Sequence, residues 1–239
     1  MATWVTHLMI ADSVMKQCHD LDRRGFCVGN IAPDCNVENE DWTCFTPPRE
    51  VTHWMSAERK VASDCDSFCN EYILKRKSEI RTQEQYSFLL GYYAHLITDA
   101  AFQWYIRDDK RVKDTWRRIN ADENLRARAK GYSEDWDSVK KFILKKERMH
   151  EIYSMEAEYL RDNPTSGYFT EILPLKEFPD YIDYLPYGCI VRKIGVMGYL
   201  PKLDENLTNP ILMSREEFIS FVGDTALLVV SKLREKNLI

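Results

Sequence analysis

Residues 85–106 of the chain read QYSFLLGYYAHLITDAAFQWYI, without proline and with almost no charge. Apolar side chains occur all round a wheel of 3.6 residues per turn, so this stretch predicts a helix that is buried on every side. A membrane-spanning helix of this length would place His95 and Asp99 near its middle, where ionisable groups are costly. The stretch therefore predicts the central helix of a soluble all-α domain.

Inside this helix His95 and Asp99 are four residues apart and share one face. Gly91 lies one turn earlier on the same face and leaves room for another backbone or an ion. A carboxylate that is buried without a partner is costly, so Asp99 needs one. The spacing fits either a metal-ligand pair or a buried hydrogen bond between histidine and aspartate.

The composition favours helices and excludes several classes of protein. The 239 residues include only nine glycines and nine prolines, too few for a many-stranded β architecture. A net charge of −5 gives no reason to expect nucleic acid as the main partner. The first residues lack a secretory-signal pattern, and the seven cysteines include no Cys-x-x-Cys pair, so we expect reduced thiols in a cytoplasmic protein.

The order of the predicted elements divides the chain into a helical metal-binding domain at residues 1–161 and a segment at 162–239 that packs on it. This second segment is irregular and rich in tyrosine and proline up to residue 213, and then forms a last helix. Residues 107–148 carry a net charge of +5, from fourteen basic and nine acidic side chains. They predict amphipathic helices with a solvated face, or a basic surface that meets anionic lipid or phosphate. Further helices are predicted at residues 3–17, from 56 to about 80, from about 136 to 161 and from 214 to about 236.

Three further residues with metal-binding side chains fall in apolar or partly apolar surroundings. His7 lies within the inward stripe of the first helix, Asp34 closes the apolar run GFCVGNIAPDC, and His53 follows a polar loop. Taken singly, His7 is best interpreted as a core histidine with its hydrogen bonds satisfied, and Asp34 as the capping residue of the next turn. Together with His95 and Asp99 they form a set of imidazole and carboxylate donors that suits zinc or a similar divalent ion.

The order of these motifs is similar to that of the zinc-dependent phospholipase C family. The resemblance covers roughly residues 3–106 and depends on His7, GNIAPD at residues 29–34, Thr-His at 52–53 and GYYAHLITD at 91–99. It implies an all-α fold related to the single-strand-specific P1-type nucleases. It also implies a zinc-dependent hydrolase that acts on a phosphate ester or a phospholipid. The sequence contains no other apolar run of transmembrane length, so we expect no transmembrane segment, and any contact with a membrane would be peripheral.

The resemblance also implies a role for each donor. Asp34, His53, His95 and Asp99 would ligate one zinc ion, and Asp99 would bridge to a second ion bound by His7. Asp34 would in addition act as the general base toward the attacking water. These five residues are the predicted metal ligands, and Asp34 is the predicted catalytic residue.

The family has a trinuclear zinc site, and the chain departs from the family pattern at the ligands of the third metal. Tyr105 stands where a histidine ligand would fall, and His150 is followed by Ser154 rather than by glutamate at the required offset. Trp4 lies behind Met-Ala-Thr, so the amino-terminal tryptophan ligand of the secreted phospholipases is not expected. We therefore expect one or two zinc ions.

Two other functions compete with this prediction. An HD-type phosphohydrolase is also all-α, but its adjacent His-Asp pair occurs only at His19-Asp20, outside any apolar helix. A non-catalytic binding or regulatory protein would use the metal structurally and dock a partner on the segment rich in tyrosine and proline.

Overall fold

The computed structural model describes residues 2–55, 62–198 and 212–239. Its architecture is all-α, as predicted; the described residues include one two-stranded hairpin, in which Val37–Glu38 (β1) pairs antiparallel with Phe45–Thr46 (β2). The α-helices are α1 (Trp4–Met15), α2 (Arg23–Gly29), α3 (Arg49–Thr52), α4 (Cys65–Phe68), α5 (Gln83–Tyr105), α6 (Asp109–Ala121), α7 (Glu123–Arg128), α8 (Trp136–Phe142), α9 (Lys145–Asp162), α10 (Cys189–Met197) and α11 (Arg215–Glu235).

The central helix α5 is the predicted one. It begins after Thr82, whose side chain accepts a hydrogen bond from the backbone N–H of Gln85, an N-cap that satisfies one otherwise unpaired donor. Every residue from Ser87 to Ala100 is buried, which confirms that the helix is covered on all sides. Among the described residues, no helix combines the length and the apolar character that crossing a bilayer would require.

Helix α2 packs on α5 with backbone against backbone. A Cβ atom placed on Gly29 would lie 2.1 Å from the carbonyl oxygen of Phe88, and one on Gly91 would lie 2.2 Å from that of Phe26. Backbone atoms cannot move aside as a flexible side chain can, so both positions require glycine. The space predicted beside Gly91 is thus taken by the backbone of α2, and this contact sets the segment that follows α2 against the middle of α5.

Two predicted helices are shorter than expected. The described part of the helix predicted from Ser56 to about Ile80 consists of α4, a π-helical turn at Cys69–Leu74 and a 3-10 turn at Lys77–Glu79; residues 56–61 lie outside the described residues. Asp64 caps α4 by accepting from the Ser67 N–H, so a helix starts there.

The helix predicted from about Trp136 to Arg161 is interrupted between α8 and α9. Ile143 and Leu144 have extended backbone, and Glu147 accepts a hydrogen bond from the Leu144 N–H at 2.7 Å. This bond satisfies a donor at the start of α9, so two helices replace one.

The C-terminal part of the chain shares the main core. Ser214 and Glu217 form a capping box at the start of α11, as the sequence predicts, and α11 packs on α1 and α5. The main core includes Ile182, Ile190 and Phe221 from the segment after residue 162. A second, smaller core joins α6, α7 and α8 and consists of Trp116, Ile119, Leu125, Ala129, Val139, Phe142, Ile143 and Leu212.

Helix α1 is held at its start by a buried carboxyl group of α9. Oε1 of Glu156 accepts from the hydroxyls of Thr3 and Thr6 and, at 3.0 Å, from the Thr6 N–H, whereas Oε2 has no partner among the described residues. Burial raises the pKa of Glu156 to about 7, although these three hydrogen bonds act in the opposite direction. In the folded protein the carboxyl group is therefore mostly neutral below about pH 7.

We expect Gly29→Ala to lower the free energy of unfolding by about 1–3 kcal/mol, because the added methyl group overlaps the Phe88 carbonyl. Urea denaturation followed by circular dichroism measures the change. The control is Gly223→Ala on α11, where a Cβ meets open space among the described residues. It should be neutral or raise stability by about 0.5–1 kcal/mol, because alanine is the better helix former. Equal effects of the two changes would contradict the close packing.

We expect Glu156→Gln to remove a fall in stability with rising pH. The pKa of this carboxyl is about 7 in the folded protein and 4.5 at its ordinary value, so the unfolded chain releases the proton first. The wild type should lose up to about 3 kcal/mol between pH 4.5 and pH 7 relative to the glutamine variant, with little further difference above pH 7. Urea denaturation across this range measures the difference. Glu158→Gln, also on α9 but at a side chain that is 32% exposed and paired with Arg215, should keep this fall in stability. A loss of the fall in Glu158→Gln would contradict the assignment to Glu156.

Candidate metal centre

The fold brings all five predicted donors to one place. His7 lies on α1, Asp34 ends the 3-10 turn Ala32–Asp34 after α2, His53 follows the last residue of α3, and His95 and Asp99 lie on α5. The three imidazoles are fully buried, and Asp99 is 4% exposed. Residues far apart in the sequence thus form one buried cluster of nitrogen and oxygen donors.

Hydrogen bonds orient two of the rings. Nδ1 of His95 lies 2.7 Å from the carbonyl oxygen of Asn30, which can only accept, so Nδ1 carries the proton. Nδ1 of His53 lies 2.8 Å from the hydroxyl of Thr52, which holds the direction of this ring. Nε2 of His95 is thereby left with a free lone pair, whereas Nε2 of His53 faces Oδ1 of Asp34. Histidines that bind metals are commonly held in this way through their second nitrogen.

The Nε2 atoms of these two rings face each other and a carboxylate. His53 Nε2 lies 3.3 Å from His95 Nε2 and 3.2 Å from Asp34 Oδ1. Ligands of a tetrahedral zinc ion at its usual bond lengths are about 3.3 Å apart. Asp34, His53 and His95 therefore form a group that could hold a metal ion, with all donor atoms within 4.8 Å of one another.

A second group of donors shares His95. It consists of His7, His95 and Asp99, and its donor atoms also lie within 4.8 Å of one another. The ring of His7 stacks on that of His95 with 3.8 Å between centroids and 5° between planes. Two such groups in contact are compatible with one or two ions.

The chemistry of His7 fits a metal. Both of its ring nitrogens are buried without a hydrogen-bond partner among the described residues, and Nε2 lies 3.6 Å from Asp99 Oδ1. A buried polar atom left unpaired costs about 1–3 kcal/mol. A metal ion between His7 and Asp99 would satisfy Nε2 of this ring, so the residues present fit the zinc that the resemblance implies.

The ionisation of the cluster also suits a cation. Burial raises the pKa of Asp34, but the hydrogen bond with His53 and the charge of Arg49 outweigh it and hold this pKa well below its ordinary value. The pKa of Asp99 is likewise lowered despite burial, by the imidazoles of His7 and His95. Burial and the neighbouring His7 lower the pKa of His95. Near neutral pH, both carboxylates are charged and the His95 ring is neutral, the forms in which they bind metals.

Arg49 belongs to this site, although the sequence prediction placed it in a polar loop. Its Nη1 lies 3.1 Å from Asp34 Oδ1, and its Nη2 lies 2.8 Å from Asp99 Oδ2. The Ala2 N–H also donates to Asp99, at 3.2 Å from Oδ1. The signal in the sequence that could have indicated Arg49 is its spacing of four residues from His53, which places two side chains on the same side of a helix. This spacing is not informative as long as residues 49–52 are predicted as a loop rather than a helix.

The remaining singled-out residues lie elsewhere. The hydroxyl of Tyr105 donates to the carbonyl of Glu217, and its ring packs on Phe221. His19 and Asp20 are both exposed, as predicted for a surface pair. Within the described residues, the two groups of candidate metal ligands include neither Tyr105 nor His150.

The fold and the site together define an all-α protein with a buried centre of histidine and aspartate donors. Residues 6–102 match the model of the zinc-dependent phospholipase C family. This match confirms the predicted resemblance and includes all five donors. It covers 97 of the 239 residues, the part of the chain that builds the site. Among curated proteins and among solved structures, no significant match was found.

We expect His95→Ala to abolish metal binding and His7→Ala to affect only one of the two donor groups, because His95 is common to both. Elemental analysis of tag-free protein equilibrated with zinc gives the number of ions per chain. His19→Ala, which removes an exposed histidine, is the control and should bind as the wild type does. Full zinc content in His95→Ala would show that the donors are assigned wrongly.

Proposed function

We propose that the protein is a zinc-dependent phosphoesterase that hydrolyses a phosphate ester in the manner of a phospholipase C. The observation that carries the proposal is the donor cluster: three imidazoles with no exposed surface and two carboxylates with lowered pKa values, inside the matched segment. So many buried donors are costly for a purely structural core, whereas they fit a bound divalent cation.

In this proposal Asp34, His53, His95 and Asp99 would hold one zinc ion, and His7 and Asp99 would hold a second, with His95 a member of both donor groups. When bound, zinc supplies Lewis acidity that activates water near neutral pH and offsets negative charge on phosphate oxygens. The protein holds the rings in place through the Asn30 carbonyl and the Thr52 hydroxyl, so the donors need not reorganise during the reaction.

Asp34 is the proposed general base. Its side chain is 18% exposed, compared with 6% for the Asp99 side chain and none for the imidazoles, so Asp34 is the most water-accessible of the five donors. The contacts with His53 and Arg49 both use Oδ1. Oδ2 is then available to accept a proton from water, as a general base requires.

The substrate class in this proposal is a phosphate ester, with phospholipids included. The basic stretch 107–148 is the part of the chain that would meet an anionic membrane surface, and Trp104 beside it is 65% exposed. A cytoplasmic location is supported by the seven cysteines, all free thiols in the structure and five of them buried.

We expect the zinc-loaded protein to hydrolyse a simple diester such as bis(p-nitrophenyl) phosphate, to lose this activity in chelator and to regain it with added zinc. Turnover is followed by absorbance. The inactive control is His95→Ala, and thermal unfolding with and without chelator is measured in parallel. A structural metal would give a different result: no turnover of any phosphate ester or phospholipid tested, with a large loss of thermal stability in chelator. That outcome would favour the non-catalytic alternative.

A further inference from the structure

The opening of the donor cluster is formed by Arg49 and Asp34. Their side chains are 21% and 18% exposed, whereas the three imidazoles have no exposed surface and the Asp99 side chain is 6% exposed. A molecule that approaches the cluster from solvent therefore meets a guanidinium group and a carboxylate before it reaches any imidazole. Of these two, only the guanidinium attracts an anion.

The guanidinium of Arg49 is arranged as a fork across two carboxylates. Nη1 lies 3.1 Å from Asp34 Oδ1 and Nη2 lies 2.8 Å from Asp99 Oδ2. Both carboxylates belong to the predicted zinc ligands. A cation bound by them would take over part of the charge compensation that Arg49 provides, and the N–H donors of Arg49 would become available to an incoming anion.

The backbone of Arg49 is fixed rather than mobile. Its carbonyl accepts from the His53 N–H at 2.9 Å and from the hydroxyl of Thr52. The carbonyl of Thr52 in turn accepts from the hydroxyl of Tyr92 on α5 at 2.5 Å. One helical turn, tied to the central helix, thus presents both the His53 ring and the Arg49 guanidinium to the same site.

We propose that Arg49 binds the phosphoryl group of the substrate through two of its non-bridging oxygens. This inference rests on the proposed phosphoesterase function and adds a substrate-binding residue to it. A planar guanidinium matches two phosphate oxygens with two parallel hydrogen bonds, which an ammonium group cannot do. Arg49 would thereby hold the phosphorus centre beside Asp34 and the ligands of α5.

The test compares zinc-loaded wild type with Arg49→Met and Arg49→Lys, each as the full chain. Binding of inorganic phosphate is measured by calorimetry, zinc content by elemental analysis, and kcat and KM with bis(p-nitrophenyl) phosphate. The matched control is Arg23→Met, because Arg23 also joins two carboxylates, at 2.7 Å from Asp12 and 3.5 Å from Glu171.

With unchanged zinc content, Arg49→Met should bind phosphate about 10- to 100-fold more weakly and show a raised KM, since it loses a charged bidentate contact. Arg49→Lys keeps the charge without the fork, so its phosphate affinity should lie between those of wild type and Arg49→Met. If the methionine variant does not fold, a several-fold weaker binding of phosphate by the lysine variant carries the same conclusion. Arg23→Met should bind phosphate as the wild type does.

Two results would overturn the inference alone: phosphate binding in Arg49→Met equal to wild type, or a loss of zinc in Arg49→Met that accounts for the loss of phosphate binding. The second would mean that Arg49 only orients the carboxylates. A wild type that takes up no zinc would instead refute the proposed function, and this inference with it. The two failures are therefore distinguishable by the zinc content of the wild type.

Discussion

The contact between the backbones of α2 and α5 is the constraint on which the site depends. Gly29 and Gly91 meet at distances that leave no room for a Cβ atom on either helix. Because the helices are this close, the Asn30 carbonyl reaches Nδ1 of His95 and fixes both the tautomer and the direction of the ring. The 3-10 turn after α2 then places Asp34 beside His53. Small residues in two helices therefore decide the positions of donors that they do not touch.

The second constraint is electrostatic. Three imidazoles, two carboxylates and one guanidinium lie together in a region that is otherwise part of the apolar core. Arg49 compensates part of the negative charge, yet both nitrogens of His7 are left without a partner among the described residues. A partly satisfied polar network in a low dielectric is costly, and proteins retain such networks where they bind or react. The unpaired donors of this cluster could therefore be satisfied by a bound cation.

The parts of this protein that could be predicted are those with a local cause. The all-round apolar pattern of residues 85–106 gave the central helix, and the capping serine with Glu217 gave the start of α11. Helix interruptions were missed where a single side chain decides them. Asp64 starts a new helix, and Glu147 caps a second helix after the extended residues Ile143 and Leu144. The apolar periodicity of the sequence does not reveal such breaks, because the pattern continues across them.

By itself, the sequence determined the five candidate donors, because histidines and aspartates in apolar surroundings are few and their motif order resembles that of one family. It also determined the helix that carries His95 and Asp99 four residues apart, because that spacing is local. Only the tertiary structure decided how these side chains are arranged around one another. The stacking of His7 on His95 and the fork of Arg49 across Asp34 and Asp99 join residues that lie far apart in the chain. Such contacts follow from the packing of helices against one another. The spacing of residues within one helix does not predict them, because it gives only local geometry.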